Sequence, residues 1–244
     1  MSDNPTIVLV HGAWADGSSW AAVTKSLQRK GFTVDVEPNP LSGVASDAQY
    51  LTDYLANISG PIVLAAHSYG GMVTTTAATG NPNVTALVYI DAYVPARGDS
   101  VLSLTTAKPG SVLAVADPST VFNTVPVRDA SGKVVNADLY VKPALFPGYF
   151  AAGVRPAKAD LLAAGQRPLQ ASALSEAAAT VPAWKSIPSW DLIGTADRVI
   201  PPAEQQFMAR RAGAHIVRVN APHLSMVSDP GAVTTLITLA AADS

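Results

Sequence analysis

The residues with most chemistry to offer lie in Ile62-Val63-Leu64-Ala65-Ala66-His67-Ser68-Tyr69-Gly70-Gly71. An apolar run ends in a serine, and a helix-like pattern begins at once. A serine on so sharp a strand-to-helix turn sits on strained backbone with its hydroxyl thrust above the sheet edge. Such a turn needs small residues two before and two after the serine, because strand and helix nearly touch there. Gly70 meets the second need. Ala66 meets the first, with one methyl more than the glycine of G-x-S-x-G. The new helix also aims its N-terminal N–H groups at the hydroxyl. Ser68 is therefore read as a nucleophile for acyl transfer. The bland alternative is a helix cap, and an isolated A-x-S-x-G string would favour it; the partners elsewhere in the chain decide otherwise.

A serine nucleophile needs a base, an acid to orient that base, and donors for the oxyanion. The chain has four histidines: His11, His67, His215 and His223. His215 lies in a strand pattern and His67 in the turn itself. His223 follows the last strand in Asn220-Ala221-Pro222-His223-Leu224-Ser225, after every candidate acid, and is taken as the base. The favoured acid is Asp197, in the loop after Trp190-Asp191-Leu192-Ile193-Gly194, at the carboxyl end of a strand where open α/β sheets place their sites. Asp91, at the end of another strand, is its rival. Asp191, inside its strand, reads as a buried structural residue. The loop Val10-His11-Gly12-Ala13-Trp14 supplies the second oxyanion donor, so the backbone N–H groups of Ala13 and Tyr69 are assigned to the oxyanion. One such donor is worth about 3–4 kcal/mol. His11 is expected to brace this loop rather than to transfer protons. Trp14 adjoins the donors and is expected to bind substrate.

The elements that must hold these residues follow from hydrophobic periodicity. Short β-branched or apolar runs at 6–10, 32–36, 62–66, 84–90, 189–193 and 215–219 read as six strands. Amphipathic segments at 18–30, 46–58, 69–79, 201–212 and 230–242 read as helices between them. Alternating strand and helix predict a mainly parallel six-stranded sheet with helices on both faces. Between 95 and 188 the rhythm breaks. That stretch holds ten of the 19 prolines, with helix-like pieces at 156–166 and 171–179 and no convincing strand pair. The expected organisation is a core of residues 1–95 and 188–244 interrupted by a helical cap over 96–187, since a structureless loop of that length is improbable. Among the aromatics, Tyr93, Phe122, Phe146, Tyr149 and Phe150 are candidates for the pocket wall, ordinary packing between cap and core being an equal reading for the cap residues.

Composition narrows the field. The chain of 244 residues is 48% hydrophobic and 14% charged, against roughly 25% charged in an average soluble protein. Apolar excess of this kind suits a parallel sheet buried on both faces. The net charge of −2 and the absence of like-charge runs give no footprint for nucleic acid or an anionic membrane surface. With no cysteine, a disulfide framework and a thiol nucleophile are excluded. The histidines lack metal-ligand spacing, so neither a metal nor a cofactor is expected. No leader-like segment or apolar run of roughly 20 residues is present, and the expected location is the cytoplasm. The expected partner is a small-molecule ester or lactone, with a homodimer left open.

Taken together, His11-Gly12-Ala13-Trp14, Ala66-His67-Ser68-Tyr69-Gly70-Gly71, Asp91-Ala92-Tyr93-Val94-Pro95, Gly194-Thr195-Ala196-Asp197 and His223-Leu224-Ser225-Met226 resemble the α/β-hydrolase superfamily, and within it the esterase and hydroxynitrile lyase group that includes plant methylesterases. The resemblance implies an α/β-hydrolase fold, a cap over the site, the chain order serine, acid, histidine, and Asp197 rather than Asp91 as the acid. It implies a serine esterase acting on small to medium, largely uncharged esters or lactones. Hydroxynitrile lyases of the group carry lysine after the histidine and threonine in the oxyanion loop; Leu224 and Ala13 stand there instead and speak against lyase chemistry. Cofactor-free oxygenation, perhydrolysis and slow-turnover ligand binding share the same triad and remain the alternatives.

Overall fold

In the computed structural model, which describes residues 4–243, the strands β1 (Thr6–Val10), β2 (Val34–Glu37), β3 (Ile62–His67) and β4 (Val84–Ile90) alternate with helices α1 (Ala21–Arg29), α2 (Val44–Leu55) and α3 (Gly70–Ala77). After a long excursion the pattern resumes with β8 (Ser189–Gly194), α8 (Pro202–Arg211), β9 (His215–Val219), α9 (Ser225–Ser228) and α10 (Pro230–Ala242). The excursion contains α4 (Val101–Ala107), β5 (Phe122–Arg128), β6 (Val134–Val141), α5 (Phe146–Tyr149), α6 (Pro156–Ala164), β7 (Leu169–Gln170) and α7 (Ser172–Ser175).

The main sheet runs β2-β1-β3-β4-β8-β9, every neighbouring pair parallel. Its central strands β1, β3, β4 and β8 are almost wholly buried, which is why they read as continuous apolar runs instead of alternating ones. Helix α1 packs with α10, and α2 with α3. The core is one cluster joining sheet, helices and parts of the excursion. No helix among the described residues is long and apolar enough to cross a membrane.

Strand order decides where the site forms. From β1 the chain winds outward to β2, then returns to the other side of β1 as β3. The loops leaving β1 and β3 therefore diverge at a switch point, and a crevice opens between them at the carboxyl edge. Val10 is paired with Ala66, so the segments beginning at His11 and at His67 emerge side by side.

The excursion differs from the all-helical expectation. Strands β5, β6 and β7 form a three-stranded antiparallel sheet, with Phe122 opposite Val141 and Leu139 opposite Leu169. Period two was invisible in β5 because nearly all of it is exposed, and Pro126 stands in its middle. Proline is tolerated because β5 is an edge strand. The signal that could have found the hairpin is Asp129-Ala130-Ser131-Gly132-Lys133: Asp129 Oδ1 accepts the Ser131 N–H at 2.9 Å, and Gly132 has φ +84°.

Candidate active site

Ser68 directly follows β3 with φ +52°, a left-handed conformation that only a strongly determined turn imposes on a non-glycine residue. What holds it is close packing on both sides. The next helix passes so near the chain after β4 that a Cβ on Gly71 would lie 1.9 Å from the Tyr93 carbonyl oxygen. The Ser68 carbonyl takes N–H groups from Gly71 at 3.0 Å and Tyr93 at 3.2 Å. Gly71 is thus stricter than Gly70, the glycine on which the sequence argument rested.

The elbow turns the hydroxyl toward His223, whose Nε2 lies 2.9 Å from Ser68 Oγ. His223 Nδ1 lies 2.8 Å from Asp197 Oδ2. Asp197 is itself pinned: Oδ1 accepts N–H groups from Val199 at 2.7 Å and Ile200 at 3.1 Å, and Oδ2 accepts Gln205 Nε2–H at 2.7 Å. The carboxylate accepts, so Nδ1 of His223 carries the proton and Nε2 presents a lone pair to the serine hydroxyl. Burial pushes the imidazole down to about 3 and keeps it neutral at rest. Burial pushes Asp197 up, while the N–H groups of Val199, Ile200 and Gln205 pull it back toward the charged form. Gln205, on α8, escaped the sequence reading: a glutamine in a helix carries no signal.

The rival acids sit elsewhere. Asp91 ends β4 with φ +45° and is fully buried. Its Oδ1 accepts the Gly194 N–H at 2.8 Å and its Oδ2 the Ser225 N–H at 3.1 Å. It clamps the loops that carry Asp197 and His223 but does not bond the imidazole. Burial, then the facing charge of Asp197, raises its carboxyl well above the usual range. Of the two, Asp197 is the better place for the negative charge, because it takes more donors. Asp191 lies buried inside β8 with neither oxygen hydrogen-bonded, and burial raises it strongly as well.

Ala13 and Tyr69 flank Ser68 on the two loops of the crevice, and among the described residues no carbonyl takes the backbone N–H of either. The loop before Ala13 is braced from several directions. His11 Nδ1 donates to the Gly12 carbonyl at 2.9 Å, Asn39 Nδ2 donates to the His11 carbonyl at 2.9 Å, and Arg167 donates to the Asn39 carbonyl at 2.8 Å. Burial lowers His11 to about 4, so it stays neutral. The Tyr69 hydroxyl donates to Asp47 at 2.8 Å.

Trp14, with φ +55°, bonds the excursion twice: its backbone N–H to Arg167 O at 3.0 Å and its indole N–H to Leu139 O at 2.8 Å. Its ring stacks on Phe122 at 5.3 Å and meets the edge of Phe150 at 5.2 Å; Phe150 in turn stands edge-on to His223 at 5.6 Å and stacks on Phe146 at 5.4 Å. Tyr93 turns its hydroxyl to Thr105, and Tyr149 is only half-buried. Ser68 is 3% exposed and His223 1%, with Phe150 of the excursion against the imidazole. His215 remains on β9, stacked on Trp190 at 5.2 Å and remote from the relay. Among the described residues no cluster of three or more metal-ligating side chains occurs.

A parallel sheet doubly covered by helices, with serine, imidazole and carboxylate in relay on three loops of its carboxyl edge, defines the class. Residues 7–236 match the alpha/beta hydrolase family, and the chain belongs to that family. It is 35% identical over 112 residues to a carbendazim hydrolyzing esterase of Nocardioides sp. (strain SG-4G); the match spans 40% of this chain and 46% of that protein, less than half the length of either. Its fold is similar to that of polyneuridine aldehyde esterase, with a TM-score of 0.81 at 17% identity over 97% of this chain and 98% of that one. It is also similar to a methylesterase from Arabidopsis, with a TM-score of 0.77 at 15% identity over 98% of this chain and all of that one.

Proposed function

We propose that the protein is a serine hydrolase that cleaves carboxylic esters or lactones through an acyl-enzyme on Ser68. The observation that carries this is the unbroken relay Ser68 Oγ to His223 Nε2 at 2.9 Å and His223 Nδ1 to Asp197 Oδ2 at 2.8 Å. The Ser68 proton passes to Nε2 as Oγ bonds the acyl carbon. The carbonyl oxygen, now negative, takes the N–H groups of Ala13 and Tyr69. The ester C–O bond breaks, and the Nε2 proton goes to the departing alkoxide. Water then repeats the sequence: its proton goes to Nε2, its oxygen bonds the acyl carbon, and Ser68 recovers its proton as the acid leaves. Asp197 orients the imidazole throughout and stabilises its cationic form.

Residues 96–187 act in this proposal as a cap that opens to admit substrate. Phe150 stands edge-on to His223 and Trp14 packs on Phe150, an apolar wall that favours small to medium, largely uncharged acyl or alcohol groups. The local match to a carbendazim hydrolyzing esterase supports ester-type cleavage. A fluorophosphonate probe tests the proposal. Wild-type protein is expected to be labelled stoichiometrically and to lose activity on p-nitrophenyl esters, and Ser68→Ala to remain unlabelled. Equal labelling of the two proteins refutes the assignment of Ser68.

A further inference from the structure

His223 hangs on a loop without regular structure, between β9 and α9. Its side chain is held by Asp197, but a base must also keep its backbone still, because a displacement of about 1 Å can cost 100-fold in rate. On the far flank Asp91 holds the Ser225 N–H. On the near flank the His223 carbonyl meets a second imidazole: His67 Nε2 lies 2.9 Å from His223 O. The two rings are 4.7 Å apart, tilted by 52°. His67 is 1% exposed, the residue directly before Ser68.

A carbonyl oxygen only accepts, so Nε2 of His67 carries the proton. Its Nδ1 is then bare, and it is buried without a partner. That orphan nitrogen sits against the Gly12 backbone, so close that a Cβ on Gly12 would lie 2.9 Å from it. Packing alone would be served by an apolar ring here; an imidazole that leaves one nitrogen unsatisfied is explained by the bond the other one makes. Burial first, and then any charge forming on His223, hold His67 neutral. Neutrality is what the place demands, since a second cation would oppose the imidazolium that His223 becomes.

We infer that His67 is a positioning residue: its Nε2–H ties the backbone of the base to the residue bearing the nucleophile, fixing the Ser68–His223 distance directly instead of through the sheet. This rests on the assignment of Ser68 as nucleophile. The bond reaches across 156 positions of sequence, and it explains why histidine stands beside a serine whose proton it does not take.

Three variants test it. His67→Gln places an amide N–H near the Nε2 position, His67→Phe keeps a ring without a donor, and His67→Asn carries its donor too close to the backbone to reach the carbonyl. The readouts are kcat and KM on a p-nitrophenyl ester, the second-order rate of fluorophosphonate labelling, and the melting temperature. His67→Gln is expected within about fivefold of wild-type kcat. His67→Phe is expected to lose about 100-fold in kcat and labelling rate with KM within threefold. Should His67→Phe fail to fold, His67→Asn replaces it, with the same loss expected. Folded variants in which the donor makes no difference, or a loss confined to KM, overturn the inference. Absence of labelling in wild type instead sinks the assignment of Ser68, and the role of His67 falls with it.

Discussion

Gly12→Ala probes the crevice with one methyl group. The added Cβ would lie 2.7 Å from Ser68 Cβ and 2.9 Å from both Nδ1 and the carbonyl oxygen of His67. Carbon atoms pack at about 3.5–4.0 Å, so one loop must retreat by roughly 1 Å. The elbow cannot yield, because Gly71 is wedged against the Tyr93 carbonyl. The retreat therefore falls on residues 12–14 and carries the Ala13 N–H out of reach of the oxyanion. Losing one such donor costs about 100- to 1,000-fold in kcat, or ~3–4 kcal/mol. The strain itself is that of an overpacked core, about 1–3 kcal/mol. For a chain of this size that lowers the melting temperature by roughly 2–12 °C. Steady-state kinetics at 25 °C, together with a thermal melt, separate the two effects. The expected result is a folded protein with kcat down at least 100-fold and KM changed little. A kcat within threefold of wild type would refute the placement of the oxyanion donors. So would a loss of activity that merely tracks unfolding.

The two carboxylates at strand ends should behave differently. Asp197→Asn should lower kcat by about 1,000- to 10,000-fold, because both of its oxygens accept N–H groups and an amide must turn a donor against a donor. Asp91→Asn should cost less than tenfold in kcat while lowering stability by about 1–3 kcal/mol, and reversed ranks would make Asp91 the acid. Glu37 gives a pH prediction. Buried, it is pushed up to about 8, by burial first and the nearby Asp47 second. The folded state then holds a proton that the unfolded chain releases above about 4.5, so Glu37 erodes stability as pH climbs from there to about 8. The melting temperature of Glu37→Gln minus that of wild type should grow across that window and level off above it. A difference that stays constant from pH 5 to 9 would show that Glu37 is not protonated in the fold.

Much of the scaffold was legible because it is written in local preference. The runs at 84–90, 215–219 and 230–242 match the observed elements at both ends. The β5–β6 hairpin was not legible. Its outer strand buries little, so the hydrophobic pattern that marks other strands is absent, and only its turn residues carried a signal.

The sequence by itself determined which residue types the site contains and that they follow strands: a serine at an elbow, two aspartates at strand ends, a histidine in a late loop. It also determined the alternation that builds a parallel sheet. Tertiary structure alone decided how they meet. Asp91 directly follows β4 and Asp197 lies in the loop after β8, the setting on which the sequence favours it; the path of the 220–225 loop brings His223 to Asp197 and leaves Asp91 with backbone N–H groups. The ring contacts of Trp14 with Phe122 and of Phe150 with His223, and the bond from His67 to His223, likewise join residues more than seventy positions apart. Local preference fixes an element's kind and the face it buries. The meeting of distant side chains depends on strand order and loop path, set by the packing of the whole chain.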